Sequence, residues 1–116
     1  MTTSRTIVGA HYGLRDWLAQ RITAIILAAY TVFLLVSLLV IPELTYGTWA
    51  GLFANTFTKV ATLLAMLSLI YHAWVGVRDI YMDYIRSTAL RLLLEVATIV
   101  ALLGYLCWAV IILWRV

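Results

Sequence analysis

Residues 59–86 read KVATLLAMLSLIYHAWVGVRDIYMDYIR. The stretch begins as an apolar run and ends in a charged, tyrosine-rich tail. One ionisable side chain, His72, sits in the middle of the apolar part. At membrane depth such a group is costly, and by default it marks a function and a partner group. With about 100° of turn per residue, Ala65, Ser68, His72, Gly76, Asp79 and Asp83 fall on one narrow helical stripe. The residues beside His72 on that stripe are small. They leave room for something flat and bulky, or for another helix. The expectation is that helices of a partner chain pack against Ala65, Ser68 and Gly76.

The rest of the chain has the same apolar character. It has 116 residues, of which 66% are hydrophobic and 11% charged. A chain this short cannot bury so much apolar surface in a core of its own. The charges cluster between apolar runs. The fold class is therefore all-α: an integral membrane protein with three transmembrane helices, forming one domain. The net charge of +3 is not a nucleic-acid signal, because no basic patch with interleaved aromatics accompanies it. Cys107 is the only cysteine, which excludes an intrachain disulfide and any cysteine-based metal motif. It reads as a small, inert core thiol.

The flank Met1 to Ala10 is polar and expected to be loosely ordered. In the following HYGLRDWLAQR, Leu14, Trp17 and Leu18 share one helical face, with Arg15, Asp16 and Arg21 around the others. That pattern fits a short helix entering the membrane from the interface, or a charged flank with a tryptophan anchor. The first apolar run, Ile22 to Ile41, can span about 30 Å and is too long for a signal-peptide core. Pro42 ends it. Trp49, Leu52, Phe53 and Phe57 then recur at helical spacing, so part of this loop is expected along the membrane surface. The three spans are placed at about 22–41, 60–77 and 96–114. Trp114 and Arg115 serve as interface anchors of the last. The connection between the second and third carries Arg78, Asp79, Asp83, Arg86, Arg91 and Glu95, with Asp83 and Arg86 spaced to pair on a helix.

Basic residues give the orientation. Arg5, Arg15 and Arg21 precede the first span, Arg78, Arg86 and Arg91 follow the second, and the other loop and the C-terminus hold only Lys59 and Arg115. The positive-inside rule puts the N-terminus in the cytoplasm and the C-terminus outside.

No phosphate loop, dinucleotide fingerprint or Ser/His/Asp set is present. Any reaction the chain serves is shared with partners or occurs in the membrane. His72 suits axial ligation of haem iron through a neutral imidazole. The plainer reading is a histidine hydrogen-bonded to a neighbouring helix. His11, the other histidine, lies outside the spans and is poorly placed as a second ligand, so a six-coordinate haem needs a histidine from another subunit. Haem propionates need cations. Arg15 and Arg21 lie at the end of the first span that matches the tail of the second, although topology and lipid headgroups are the plainer explanation for both. Tyr81, Asp83 and Tyr84 share that end. A phenol can donate to a quinone carbonyl and a carboxylate can relay protons; an aromatic belt on a solvated helix end is the alternative.

The segment HAWVGVRDIYMDY, together with GLRDWLAQRITAI, ELTYGTW and FTKVATLLA, resembles the small membrane-anchor subunits of bacterial succinate dehydrogenase, respiratory complex II. The resemblance runs from about Gly13 to the C-terminus. It implies a second, larger cytochrome b anchor subunit, with haem b held between the two. It also implies flavoprotein and iron–sulfur subunits docked on the cytoplasmic side of a bacterial inner membrane, with the C-terminus periplasmic. Electrons would pass from succinate to ubiquinone, in the tricarboxylic acid cycle and the aerobic respiratory chain. The chain would have no dehydrogenating site of its own. By matching position, His72 is implied as the axial ligand to haem iron, Tyr84 as the quinone-binding phenol and Asp83 as its acidic neighbour. Arg21 corresponds to an arginine near a propionate. Arg15 is placed beside it as a second cation, where a relative carries histidine. Arg78 stands where that relative carries tryptophan, and receives no role. Two other readings stand beside this one: a fumarate reductase anchor, since direction depends on the soluble subunits and the quinone, and a structural or assembly membrane protein in which His72 only packs.

Overall fold

A computed structural model describes residues 2–116, with side chains from Gly13 onward. The order of elements is α1 (Thr2–Val40), α2 (Tyr46–Ala54), α3 (Thr56–Tyr84) and α4 (Thr88–Arg115), with no strand among the described residues. Gly13–Val40, Thr56–Tyr84 and Thr88–Arg115 are each long and apolar enough to cross a membrane. At about 1.5 Å per residue each exceeds the roughly 30 Å hydrocarbon core. Their ends therefore stand among lipid headgroups, where the charged residues are found.

Local chemistry sets the breaks. α1 stops before Pro42, whose ring clashes with a continuing helix and pushes the preceding residue out of helical geometry. Thr45 opens α2 with a reciprocal cap: Thr48 N–H donates to Thr45 Oγ1 at 3.2 Å, and Thr45 N–H donates to Thr48 Oγ1 at 2.9 Å. Asn55 ends α2 and opens α3 as one extended residue, its Oδ1 accepting from Phe57 N–H at 2.8 Å. Ser87 opens α4, its Oγ accepting from Leu90 N–H at 3.3 Å.

α3 is the central element. α1 and α4 pack along it, and α2 folds against it. Both long neighbours run antiparallel to it: Thr23 and Phe33 of α1 meet His72 and Phe57, while Thr98 and Val116 meet Tyr81 and Lys59. The assembly is thin. Among the described residues only Ala65, Val75 and Leu113 form a buried apolar core. Most apolar surface on the three long helices faces outward, the inverse of a soluble bundle and the arrangement lipid or partner helices require.

Several sequence expectations change. The N-terminal flank and the short entering helix are not separate pieces, because α1 is continuous from Thr2. The apolar face of Leu14, Trp17 and Leu18 is exposed, and the polar residues Asp16, Gln20 and Thr23 mark the side that meets α3. The small stripe of α3 is not left open for a partner. Ala65 and Ser68 are buried within this chain, and a Cβ added at Gly76 would lie 3.8 Å from Gln20 Nε2 of α1. Small residues allow two helices to approach closely, and this chain's own α1 takes the space.

Phe57 belongs to α3 and packs edge-on against Phe33, with ring centroids 5.8 Å apart. Trp49 and Phe53 of α2 pair at 4.8 Å and help line an apolar pocket of about 420 Å³ against α3 and α4. The charged connection is largely helical, since no Gly or Pro interrupts 77–103 and only 85–87 leave the helix. Arg86 therefore lies off α3 and does not pair with Asp83. Cys107 is exposed on α4 rather than packed in a core.

Candidate functional site

A polar seam runs between α1 and α3, from their charged ends towards mid-membrane. Its α1 members are Asp16, Gln20, Thr23 and Tyr30, spaced by three, four or seven as one helix face requires. Arg78 of α3 pairs with Asp16. Gln20 lies beside Gly76. Thr23 Oγ1 is 3.0 Å from His72 Nδ1. Tyr30 Oη is 2.6 Å from Thr62 Oγ1.

His72 is half-buried and Thr23 is buried. The Thr23 hydroxyl also lies 2.7 Å from the Ala19 carbonyl and 3.1 Å from that of Gln20. The hydroxyl has a single hydrogen and two lone pairs. With the hydrogen donated to Ala19, the shorter contact, Oγ1 meets His72 as an acceptor. Nδ1 then carries the imidazole proton, and Nε2 keeps a free lone pair. The plainer reading of His72, hydrogen-bonded to a neighbouring helix, is thus realised through one ring nitrogen. That bond leaves the other nitrogen able to coordinate a metal.

The charged end of the seam opens into a cleft of about 540 Å³ lined by Arg15, Asp16, Tyr71, Arg78, Asp79 and Met82. Arg78, without an assigned role in the sequence, is its organising cation. It binds Asp16 and lies 4.0 Å from Asp79. Its Nε and the Gln20 Oε1 are buried without a hydrogen-bond partner among the described residues. Arg15 is exposed at the rim. Arg21 is exposed and stacks over Trp17 at 5.0 Å. It precedes Thr23 by two residues, about 160° round the helix, and so lies on the side of α1 away from α3.

The other candidates separate. Asp83 and Tyr84 are exposed at the last turn of α3, twelve residues and roughly 18 Å along the axis from His72. The Tyr84 phenol has no hydrogen-bond partner among the described residues. Tyr81 is different: its Oη lies 2.9 Å from Thr98 Oγ1, which donates to the Leu94 carbonyl at 2.8 Å. Thr98 has spent its hydrogen, so Tyr81 is the donor and braces α3 against α4. His11 lies outside the described side chains.

Sequence reasoning missed Thr23 and the Asp16–Arg78 pair. The available signal was polar residues at 16, 20, 23 and 30 on one face of an otherwise apolar helix. The apolar face of Leu14, Trp17 and Leu18 alone carried the sequence reading, which did not follow these polar residues into the first span.

Comparison with known proteins adds identity to this geometry. Residues 1–113 match the family model described as succinate dehydrogenase/fumarate reductase transmembrane subunit. The chain is similar to the succinate dehydrogenase hydrophobic membrane anchor subunit of Coxiella burnetii, 41% identical over 102 residues, 88% of this chain and 89% of that protein. It is also similar to the protein of that name from Rickettsia bellii, 32% identical over 88 residues, 76% of this chain and 70% of the relative.

Proposed function

Since the chain belongs to the succinate dehydrogenase/fumarate reductase transmembrane subunit family, we propose that it is the small anchor of a succinate dehydrogenase, binding haem b through His72 and ubiquinone near Tyr84 and Asp83. The single observation that carries the haem reading is the His72–Thr23 contact, which occupies Nδ1 and leaves Nε2 without a hydrogen-bond partner among the described residues. A neutral imidazole with its other nitrogen hydrogen-bonded is a metal ligand held in one orientation. No group of three or more His, Cys, Asp or Glu lies among the described residues. A lone histidine suits an iron whose other ligands come from a porphyrin and a partner chain. His72 is the residue here that would hold the iron; Arg15, at the rim of the cleft, and Arg21, on the side of α1 away from α3, are the cations proposed for the propionates. Bound haem b supplies a one-electron couple within the membrane.

At the charged end, the exposed Tyr84 phenol is free to donate to a quinone carbonyl, and Asp83 beside it to hold or pass a proton. The whole chain then acts as one membrane-anchor unit with spans at about 22–41, 60–77 and 96–114. It works beside a second cytochrome b anchor, an iron–sulfur subunit and a flavoprotein subunit, in a bacterial inner membrane, with the N-terminus cytoplasmic and the C-terminus periplasmic. The succinate dehydrogenase names of the relatives favour succinate oxidation over fumarate reduction.

Purification of the membrane complex through an affinity tag on this chain tests the reading. A b-type reduced-minus-oxidised spectrum, with copurified flavoprotein and iron–sulfur subunits, is expected. A stable preparation with neither haem nor soluble subunits would contradict it.

A further inference from the structure

We propose that Thr23 is the positioning residue for the His72 imidazole, fixing its tautomer and orientation and making it a more electron-rich ligand. This rests on the reading of His72 as an iron ligand. The Thr23 hydroxyl hydrogen goes to Ala19 at 2.7 Å, so Oγ1 accepts Nδ1–H across a 3.0 Å contact between helices. Back-bonding of a threonine to its own helix accounts for the Ala19 contact alone. The second contact, to a side chain 49 positions away, is a separate feature.

The geometry restricts the ring. Without an acceptor at Nδ1, the imidazole can place its proton on either nitrogen. With Thr23 present, moving the proton to Nε2 would set two lone pairs against each other, or take the hydroxyl hydrogen away from Ala19. Thr23 is itself held in place. It sits on α1 between the Asp16–Arg78 ion pair and the Tyr30–Thr62 hydrogen bond, which tie the same two helices on either side of it. Rotation or sliding of α1 would break all three contacts, so the helix packing fixes the ring.

The electronic consequence follows from the direction of the bond. An acceptor at Nδ1–H draws that proton away from the ring and raises the basicity of Nε2. A more basic axial ligand stabilises the oxidised iron more than the reduced iron, so Thr23 lowers the haem potential. Removing the hydroxyl should raise it. Thr23→Val keeps the branched shape and deletes the hydrogen bond, whereas Thr23→Ser keeps the hydroxyl and deletes the methyl group. The two variants separate positioning from packing.

The experiment uses the purified complex containing Thr23→Val, Thr23→Ser or His72→Ala in this chain. Haem content, low-spin electron paramagnetic resonance and an equilibrium redox titration are read on each. Thr23→Val is expected to raise the midpoint potential and shift the reduced-to-oxidised ratio at the wild-type midpoint by up to about tenfold, equivalent to 59 mV for one electron. Thr23→Ser should return both potential and resonance to wild type. If Thr23→Val loses haem while Thr23→Ser retains it at the wild-type potential, the hydroxyl is again required. A wild-type potential and resonance in Thr23→Val overturns the proposal, as does a Thr23→Ser variant as perturbed as Thr23→Val. Should His72→Ala keep a full, unchanged low-spin haem, the ligand reading itself fails. Changed ligation in His72→Ala with no effect of Thr23→Val leaves the ligand and removes only the role of Thr23.

Discussion

The Arg78 guanidinium reaches from the last third of α3 to the Asp16 carboxylate on α1, 62 positions away in sequence. Their side chains are 28% and 38% exposed, so solvent and headgroups screen the pair in part. Its importance is positional: it closes the charged end of the seam that holds Gln20, Thr23 and His72. Arg78→Met should leave Asp16 without its partner and destabilise the complex by about 0.2–1 kcal/mol, the range of a partly exposed pair. Thermal unfolding in detergent measures this. The double variant Asp16→Ala/Arg78→Met should lose less than the sum of the single losses, because the two side chains interact directly. Full additivity would mean that the pair contributes nothing.

Gly76 gives a graded test of the same interface. A Cβ there meets Gln20 Nε2 at 3.8 Å, an ordinary contact distance. Gly76→Ala should therefore be tolerated, with a helix-propensity gain of roughly 0.5–1 kcal/mol. Gly76→Leu should force Gln20 and α1 away and lower both stability and haem content. If Gly76→Leu is as stable as wild type, α1 does not pack against this part of α3.

The two tyrosines near the end of α3 should behave differently. Tyr84→Phe removes the proposed hydrogen bond to quinone, typically about 0.5–1.5 kcal/mol and more if a buried acceptor is left unpaired. At about 1.4 kcal/mol per tenfold, quinone reduction should fall roughly three- to a hundredfold. Succinate oxidation with a dye that accepts electrons before the quinone should stay normal. Tyr81→Phe should leave the quinone-to-dye ratio unchanged and lower stability instead, because its phenol donates to Thr98. Equal ratios in wild type and Tyr84→Phe would assign Tyr84 to the aromatic belt.

Orientation follows the arginines. Among the described side chains, Arg15, Arg21, Arg78, Arg86 and Arg91 belong to one end of the bundle, with Lys59 and Arg115 at the other. A periplasm-active reporter fused after Val116 should be active, and a cytoplasm-active one silent. The reverse pattern would invert the topology.

Much of this architecture was legible from the sequence because membranes impose simple rules. Three long apolar runs and a Pro42 stop define helices without reference to tertiary contacts; the Ser87 and Asn55 caps emerge only in the structure. His72 stood out for the same reason, as an ionisable group in an apolar run. The pairing of helices was less legible. The small stripe of Ala65, Ser68 and Gly76 identifies a close-packed face but not which helix covers it, and the covering helix is this chain's own α1. Leu14, Trp17 and Leu18 are exposed, while the polar residues on the other side of α1 meet α3, a pairing that apolar periodicity alone does not reveal. The helical stripe read through Asp79 and Asp83 runs past the apolar span into the charged connection. Charge marks the end of the hydrocarbon layer, and α3 continues beyond it to Tyr84.

The central claim is that His72 gives this chain's ligand to haem iron. Its most direct test is the low-temperature optical and electron paramagnetic resonance spectrum of the complex carrying His72→Ala. The account predicts loss of haem, or conversion of the low-spin signal to a high-spin or otherwise re-ligated species. A full complement of haem with an unchanged low-spin spectrum would contradict it.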